Sequence, residues 1–388
     1  MKKLFFVAPF DPLLASNSRY FAANKKITFI LRILSDIGFD IVLISSFPQS
    51  GNTKAFSIES YIYELGNGKS IDVVVSKFAI WPKLDYFFRL LFYKKVINFS
   101  IKKFGNPVVV WIYNAYSFEM LCLKYLKNYL SIFSVLEFED WHFSRGVTLK
   151  SLIDWVTWRN NISSIDFTVC VNVFLSNISK DHKIPCFILP GIIEAINHKQ
   201  KTISNTARES IFCGYFGGLT KDKGMIFLLN LINAAIKENY NITWIITGAG
   251  PFSKDFNELK MNFPQKVVFY GKVEEAKLAK IISSVDILLN PHIPNKGVFP
   301  FKILEYISYE KLVFSSILDF PESLSYFRDS IVINPINEQM WLQQILQFHT
   351  LKLKYKSKIL ICKEKVLFEY SREATKMKFQ SILNEQLR

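Results

Sequence analysis

The chain predicts an α/β protein made of two successive Rossmann-like halves. Three observations carry this: short apolar runs alternate with helix-period segments, a polar stretch at 192–209 interrupts them once, and 388 residues exceed what one core supports. Half of the residues are apolar, enough for two cores.

Residues 3–9 read as a first buried strand, 22–38 as an amphipathic helix and 40–46 as a second strand. Further strands fall at 71–76, 107–113, 132–138, 167–172 and 186–189, with helical patterns between them. Beyond Pro190-Gly191 the aperiodic, polar run 192–209 reads as a linker. The second half then brings strand 210–215, helix 224–239, strands 242–247 and 267–270, helix 274–283, strand 287–290, helix 301–309 and strand 312–315. Apolar strands alternating with helices imply parallel sheets. The expected organisation is a first domain over 1–191, the linker, a second domain over 210–362, and a helix over 363–388 that crosses back to the first domain.

Composition narrows the function classes. The basic start at Lys2 and Lys3 is followed by an apolar run that breaks at Pro9, Asp11 and Pro12, which fits a strand better than a signal peptide. No apolar run reaches the ~18 residues a transmembrane helix needs. Cys122, Cys170, Cys186, Cys213 and Cys362 are scattered, odd in number and free of Cys-x-x-Cys spacing. That points to reduced thiols in a cytoplasmic protein, without a disulfide framework or zinc site. The net charge of +15 is spread over both halves, and no nucleic-acid motif accompanies it.

The densest basic cluster lies at 81–104. There Lys83, Arg89, Lys94, Lys95, Lys102 and Lys103 alternate with Trp81, Tyr86, Phe87, Phe88, Phe92, Tyr93 and Phe99. Such a helix can lie in the headgroup layer of an anionic membrane, at the inner face of the plasma membrane for a cytoplasmic protein. It can equally pack its aromatics on a domain core while its lysines face water.

Four loops of the second half follow strands, where open α/β sheets bind ligands. The first contains Gly217 and ends at Lys223-Gly224; its glycines let backbone approach a phosphate that the lysine can meet. The second, Gly248-Ala-Gly250-Pro251, is a tight turn after an apolar strand, and simple turn chemistry explains it as readily. The third, Gly271-Lys272-Val273, can hold a planar base through main-chain groups. The fourth runs from Gly297 through Phe299, Pro300, Phe301 and Lys302 to Glu305, so that amides at a helix start attract phosphate and a carboxylate lies where ribose hydroxyls would be.

Taken in order, these loops resemble the C-terminal domain of family 4 glycosyltransferases with the GT-B fold. The matching residues are Lys223-Gly224, Gly248-Ala-Gly250-Pro251, Phe269-Tyr-Gly271-Lys-Val273 and Pro300-Phe-Lys302-Ile-Leu-Glu305. The resemblance implies two Rossmann-like domains facing a cleft, a nucleoside-diphosphate-sugar as donor substrate, no cofactor and no metal. It assigns Lys223 to the donor diphosphate, Glu305 to the ribose, and the amides at Phe299, Pro300 and Phe301 to phosphate. No Asp-x-Asp motif is present; Glu137-Phe-Glu139-Asp140 is the nearest run. The sequence departs from the family at Gly297, where a carboxylate would face the transferred sugar, at Gly218 in place of an Arg, and at Glu310-Lys311-Leu312 in place of Gly-x-Pro.

The first half offers acceptor-side candidates. The family places a His or His-Asp near the strand end that here reads Glu139, Asp140 and His142. A carboxylate there could activate an acceptor hydroxyl or support an oxocarbenium-like transition state. A polar strand end that caps the next helix explains the same residues. Asn114 at another strand end and Arg19 in the first loop are candidates for acceptor or phosphate contact. His182, His198, His292 and His349 read as surface or loop histidines.

The expected activity is metal-independent sugar transfer to a glycan or lipid-linked acceptor, with retention implied by the resemblance. Capsule, O-antigen or exopolysaccharide synthesis in a bacterium is the expected setting. The rivals are a non-catalytic carbohydrate-binding or assembly partner that kept the fold, and a nucleotide-sugar epimerase.

Overall fold

The computed structural model describes residues 2–10, 21–47, 49–50, 56–66, 68–78, 85–144, 146–193, 210–293, 300, 302–316 and 325–387. The chain forms two compact units: Met1–Ile192 with Arg372–Arg388, and Ile193–Asn295 with Pro300–Ser371.

In unit 1 the chain runs β1 (Lys2–Ala8), α1 (Phe21–Ile37), β2 (Phe39–Ser45), β3 (Gln49–Ser50), β4 (Ser57–Gly66), β5 (Lys69–Phe78), α2 (Asp85–Phe104), β6 (Val109–Tyr113), α3 (Ser117–Tyr129), β7 (Phe133–Phe138), α4 (Leu149–Asn161), β8 (Phe167–Cys170), α5 (Val173–Asp181) and β9 (Cys186–Ile188). The sheet order is β3-β5-β2-β1-β6-β7-β8-β9, with β4 paired antiparallel to β5 and the remaining pairs parallel. β1 and β6 are apolar and buried because helices cover both faces. The antiparallel β4–β5 pair departs from the all-parallel expectation. β4 is mostly half-exposed and its alternation is polar, so it lacks the continuous apolar run that marks a central strand.

In unit 2 the order is β10 (Ile211–Phe216), α6 (Met225–Lys237), β11 (Ile242–Thr247), α7 (Ser253–Asn262), β12 (Val267–Phe269), α8 (Glu275–Ser284), β13 (Ile287–Asn290), α9 (Lys302–Ser308), β14 (Leu312–Ser316), α10 (Ser325–Ser330), β15 (Val332–Asn334), α11 (Glu338–Leu346) and α12 (Phe348–Tyr370). The sheet is fully parallel, β12-β11-β10-β13-β14-β15. Its core gathers Tyr215, Leu228, Trp244, Phe256, Phe314 and Trp341, and each such side chain stabilises by about 1.5–3 kcal/mol on leaving water.

The terminal helical run is two helices. Ser371 is extended (φ −64°, ψ 161°) and separates α12 from α13 (Arg372–Gln386). Residues 363–370 therefore continue α12 in unit 2, and the return to unit 1 starts at Arg372. There Phe379 packs 4.8 Å from the Trp111 ring, and Arg372 pairs with Asp36 at 2.5 Å.

Each sheet has a switch point where neighbouring connections leave in opposite directions, and open α/β sheets bind ligands at such points. In unit 2 it lies between β10 and β13, and in unit 1 between β1 and β6.

Candidate functional site

In unit 2 the loops that follow β10 and β13 meet at the switch point. Gly224 opens α6 at φ +77°, and a Cβ there would stand 1.8 Å from the Pro291 carbonyl oxygen. The Ile293 amide donates to the Asp222 carbonyl at 3.1 Å, so the two loops are joined through backbone. Lys223 lies 3.3 Å from the Asp222 carboxylate. Lys302, the first residue of α9, sets its ammonium 3.9 Å from the centre of the Tyr215 ring, and a Cβ on Gly217 would be 2.8 Å from that nitrogen. Gly217 holds φ +153°, a conformation that favours glycine, and the end of the Lys302 side chain lies against it.

Electrostatics mark the same spot. Burial, then the neighbouring Lys223 ammonium, push Lys302 down to about 7 against the pull of Glu305 and Asp222. His292 is buried, both ring nitrogens lack a hydrogen-bond partner among the described residues, and burial with Lys223 and Lys302 holds it at about 3. Two lysines and a buried imidazole are thus gathered beside the Asp222 and Glu305 carboxylates. His292 lies in a loop as expected, two residues past the end of β13, but it is buried there and Ser316 Oγ donates to its carbonyl.

α9 is seven residues long and starts at Lys302. Its position is firm because the Ile303 amide donates to the buried Pro300 carbonyl at 3.0 Å, and Tyr306 reaches back to Phe216 on β10. Glu305 sits one turn from Lys302 and is half-buried. Phe299, Phe301, Gly297 and Arg19 lie outside the described residues.

The glycines of the second loop have a packing explanation. A Cβ on Gly248 would be 1.8 Å from the Gly217 carbonyl oxygen, and one on Gly250 would be 2.3 Å from that of Leu219. The loops are laced by Gly217 N to Thr247 O at 3.1 Å, Leu219 N to Ala249 O at 3.0 Å and Gly248 N to Gly271 O at 2.8 Å. Gly248 and Gly250 therefore shape the first loop. Lys272, on the third loop, is exposed.

In unit 1 the residues after β6 and β7 are drawn together by Asn114, which holds the left-handed conformation (φ +68°). Its Oδ1 accepts from the amides of Glu139 (3.2 Å) and Asp140 (3.0 Å), and its Nδ2 donates to Tyr116 Oη at 3.0 Å. With 1% exposure and its carboxamide engaged, Asn114 positions the β7 end, which replaces the expected contact with acceptor or phosphate.

Sequence reasoning missed Lys26. It lies on α1, 2.8 Å from the fully buried Glu137 carboxylate, and also pairs with Glu139. Burial would lower the Lys26 pKa, but the two carboxylates outweigh it and raise it to about 12. Burial and the nearby Glu137 push Glu139 up to about 8, so one proton stays with the cluster at neutral pH. No spacing signal links residue 26 to residues 137 and 139. His142 is buried, its ring 5.3 Å from that of Trp141 and 5.8 Å from that of Trp158, and burial lowers it to about 4. Its ring nitrogens have no hydrogen-bond partner among the described residues, so His142 belongs to an aromatic cluster and not to an acid–base pair. Of the three expected catalytic side chains, Glu139 is drawn onto Lys26 and Asp140 stays half-exposed.

Residues 210–350 match the family described as "Glycosyl transferases group 1". No curated protein matches. Among solved structures, a sucrose-phosphate synthase from Thermosynechococcus elongatus superposes with TM-score 0.76 at 10% identity over 100% of this chain and 99% of that one. A trehalose-6-phosphate synthase, described in a study of glycosyl transfer with retention, gives 0.69 at 11% over 99% of each chain. The catalytic domain of starch synthase IV from Arabidopsis thaliana, bound to ADP and acarbose, gives 0.65 at 11% over 99% of each chain. At such identities the structural likeness establishes the fold, and the matched family establishes the domain. Residues 210–350 thus match the glycosyl transferases group 1 family, and the chain as a whole has the GT-B fold of these glycosyltransferase structures.

Proposed function

We propose that the protein moves a sugar from a nucleoside-diphosphate-sugar to a glycan or lipid-linked acceptor, with retention, in bacterial surface polysaccharide synthesis. The observation that carries the donor assignment is the pair Lys223 and Lys302 gathered at the β10–β13 switch point, where burial and then Lys223 press Lys302 down to about 7. Breaking the sugar–phosphate bond develops negative charge on the leaving diphosphate, and fixed cations lower the barrier where that charge forms. Lys223 and Lys302 do this without requiring a resident metal. Glu305, one turn along, accepts the ribose hydroxyls.

Unit 1 takes the acceptor side. Asp140, held by Asn114 at the end of β7, is the carboxylate assigned to the acceptor hydroxyl or to the positive charge of the transferring sugar. The lipid-linked acceptor is supported by α2, where Lys94, Lys95, Lys102 and Lys103 are exposed beside the exposed Phe87 and Leu91. Other aromatics of that helix are used internally: Phe92 stacks on Phe56 at 4.2 Å and Tyr93 meets Tyr125 at 6.1 Å. Trp81 and Lys83 lie outside the described residues. A cytoplasmic protein held peripherally at the inner membrane face fits this surface.

Incubation with a panel of nucleotide-sugars, with and without bacterial glycan and polyprenyl-linked acceptors, tests the reading by mass spectrometry. Sugar transfer that Glu305→Ala abolishes is the expected result. Conversion of donor without acceptor would make the protein an epimerase, and binding without turnover would make it an assembly partner.

A further inference from the structure

Helix α4 leaves an apolar stripe in water. Its inward face is mixed: Ser151, Asp154 and Trp158 are buried, and Asp154 accepts from the Ser117 amide (2.8 Å) and hydroxyl (2.7 Å) while pairing with Lys150 at 2.6 Å. Its outward face carries Leu149, Leu152 and Val156, which are 65%, 42% and 47% exposed. Their spacing of three and four places them in one stripe. The exposed Val147 precedes the stripe, and Phe174 at the head of α5 is exposed as well. A water-facing helix normally shows the opposite pattern, and a contiguous apolar patch marks a surface that something covers.

Charge identifies the cover. The exposed residues of α4 include no acid, and Lys150 and the exposed Arg159, stacked 5.3 Å over Trp155, flank the stripe. On the same face of the sheet α2 packs against α3, and α3 against α4. α2 contains Arg89, Lys94, Lys95, Lys102 and Lys103 against one acid, Asp85 at its first position. A second copy of this chain would meet these cations with its own, because a two-fold interface sets like against like. An anionic bilayer supplies both missing partners: acyl chains for leucine and valine, headgroups for lysine. Each crossover helix starts where the preceding strand finishes, so Phe87, Leu91, Leu149, Leu152 and Phe174, all in first or second turns, lie at the strand-end side that binds ligands.

We propose that the Leu149, Leu152 and Val156 stripe of α4, with Val147 and Phe174 beside it, inserts into the headgroup layer of an anionic membrane and turns the ligand end of unit 1 toward the lipid. This rests on the acceptor-side reading only in what it delivers there, the head group of a lipid-linked acceptor. Membrane binding itself needs neither donor nor turnover.

Co-sedimentation with vesicles of phosphatidylcholine, alone or mixed with phosphatidylglycerol, tests it. The expected result is binding to the anionic vesicles that outlasts high salt in part, because apolar insertion is not screened. The triple substitution Leu149→Ser, Leu152→Ser, Val156→Ser should lower the partition coefficient at least about tenfold and leave the circular dichroism and donor hydrolysis unchanged. Hydrogen exchange on the unaltered protein gives a reading that depends on no variant: anionic vesicles should protect amides over residues 147–156. Equal binding by the triple variant, complete release by salt, or absence of protection would each overturn the proposal. So would a solution dimer that the triple variant abolishes, without vesicle binding. Failure of the transferase reading would appear separately, as absent donor turnover with vesicle binding intact.

Discussion

The Tyr306 hydroxyl accepts the Phe216 amide at 3.1 Å and donates to the Phe216 carbonyl oxygen at 3.3 Å, so one side chain of α9 closes both backbone groups at the end of β10. This clasp fixes the turn that carries Lys302 and Glu305 against the strand that leads into the first loop. Tyr306→Phe leaves two buried backbone groups without that partner, at a cost of about 1–3 kcal/mol. Thermal unfolding should show the loss and titration with nucleoside diphosphate should show weaker binding; a variant unchanged in both would remove the clasp from the site.

Lys302 makes donor binding depend on pH. Its ammonium is held near 7 in the ligand-free protein, so above that pH it is largely neutral, and a bound diphosphate draws the proton back. Calorimetry at pH 8 in buffers of different ionisation enthalpy should find uptake approaching one proton, falling toward zero at pH 6. Lys302→Gln should abolish the uptake and weaken binding about tenfold or more.

Glu305 is the ribose ligand in this reading. Loss of a charge-assisted hydrogen bond costs about 1.5–3 kcal/mol, so Glu305→Ala should weaken nucleotide binding by roughly 10- to 150-fold and abolish transfer. A nucleotide lacking the ribose hydroxyls should bind the variant and the unaltered protein alike; a persisting difference would place Glu305 elsewhere.

Glu139 predicts an acid-shifted stability. Its carboxyl holds a proton up to about 8 in the folded protein and only to about 4.5 when unfolded, so the folded state binds more protons between those values. Stability of unit 1 should therefore fall as pH rises from 4.5 to 8. Glu139→Gln should flatten that slope in denaturant titrations, and an unchanged slope would refute the assignment.

Much of the second unit was legible because its strands are buried on both faces and read as continuous apolar runs. Strand 242–247 and strand 287–290 coincide with β11 and β13. The β4–β5 hairpin escaped notice although Asn67-Gly68 is a hairpin signal, since β4 is half-exposed and lacks an apolar run. Lys26 escaped because Lys25-Lys26 on an amphipathic helix reads as a solvated face, and its carboxylate partners lie more than a hundred positions away. The burial of His292 is not legible because no partner stands at ligand spacing in sequence, whereas its neighbours Lys223 and Lys302 arrive from other elements. Periodicity also presumes that apolar residues turn inward, and α4 leaves Leu149, Leu152 and Val156 exposed.

A Cβ at Gly248 would stand 1.8 Å from the Gly217 carbonyl oxygen, so Gly248→Ala should destabilise unit 2 by about 1–3 kcal/mol, readable as a lowered melting temperature. The wider consequence concerns how such an enzyme diversifies. Two of the loops at the strand ends of unit 2 are joined through main chain, and Gly248 and Gly250 have no room for a Cβ at their crossing, so drift at those two positions is closed. New sugar preferences in descendants of this chain must enter through the remaining loops, and directed evolution would do well to randomise those and spare the glycines.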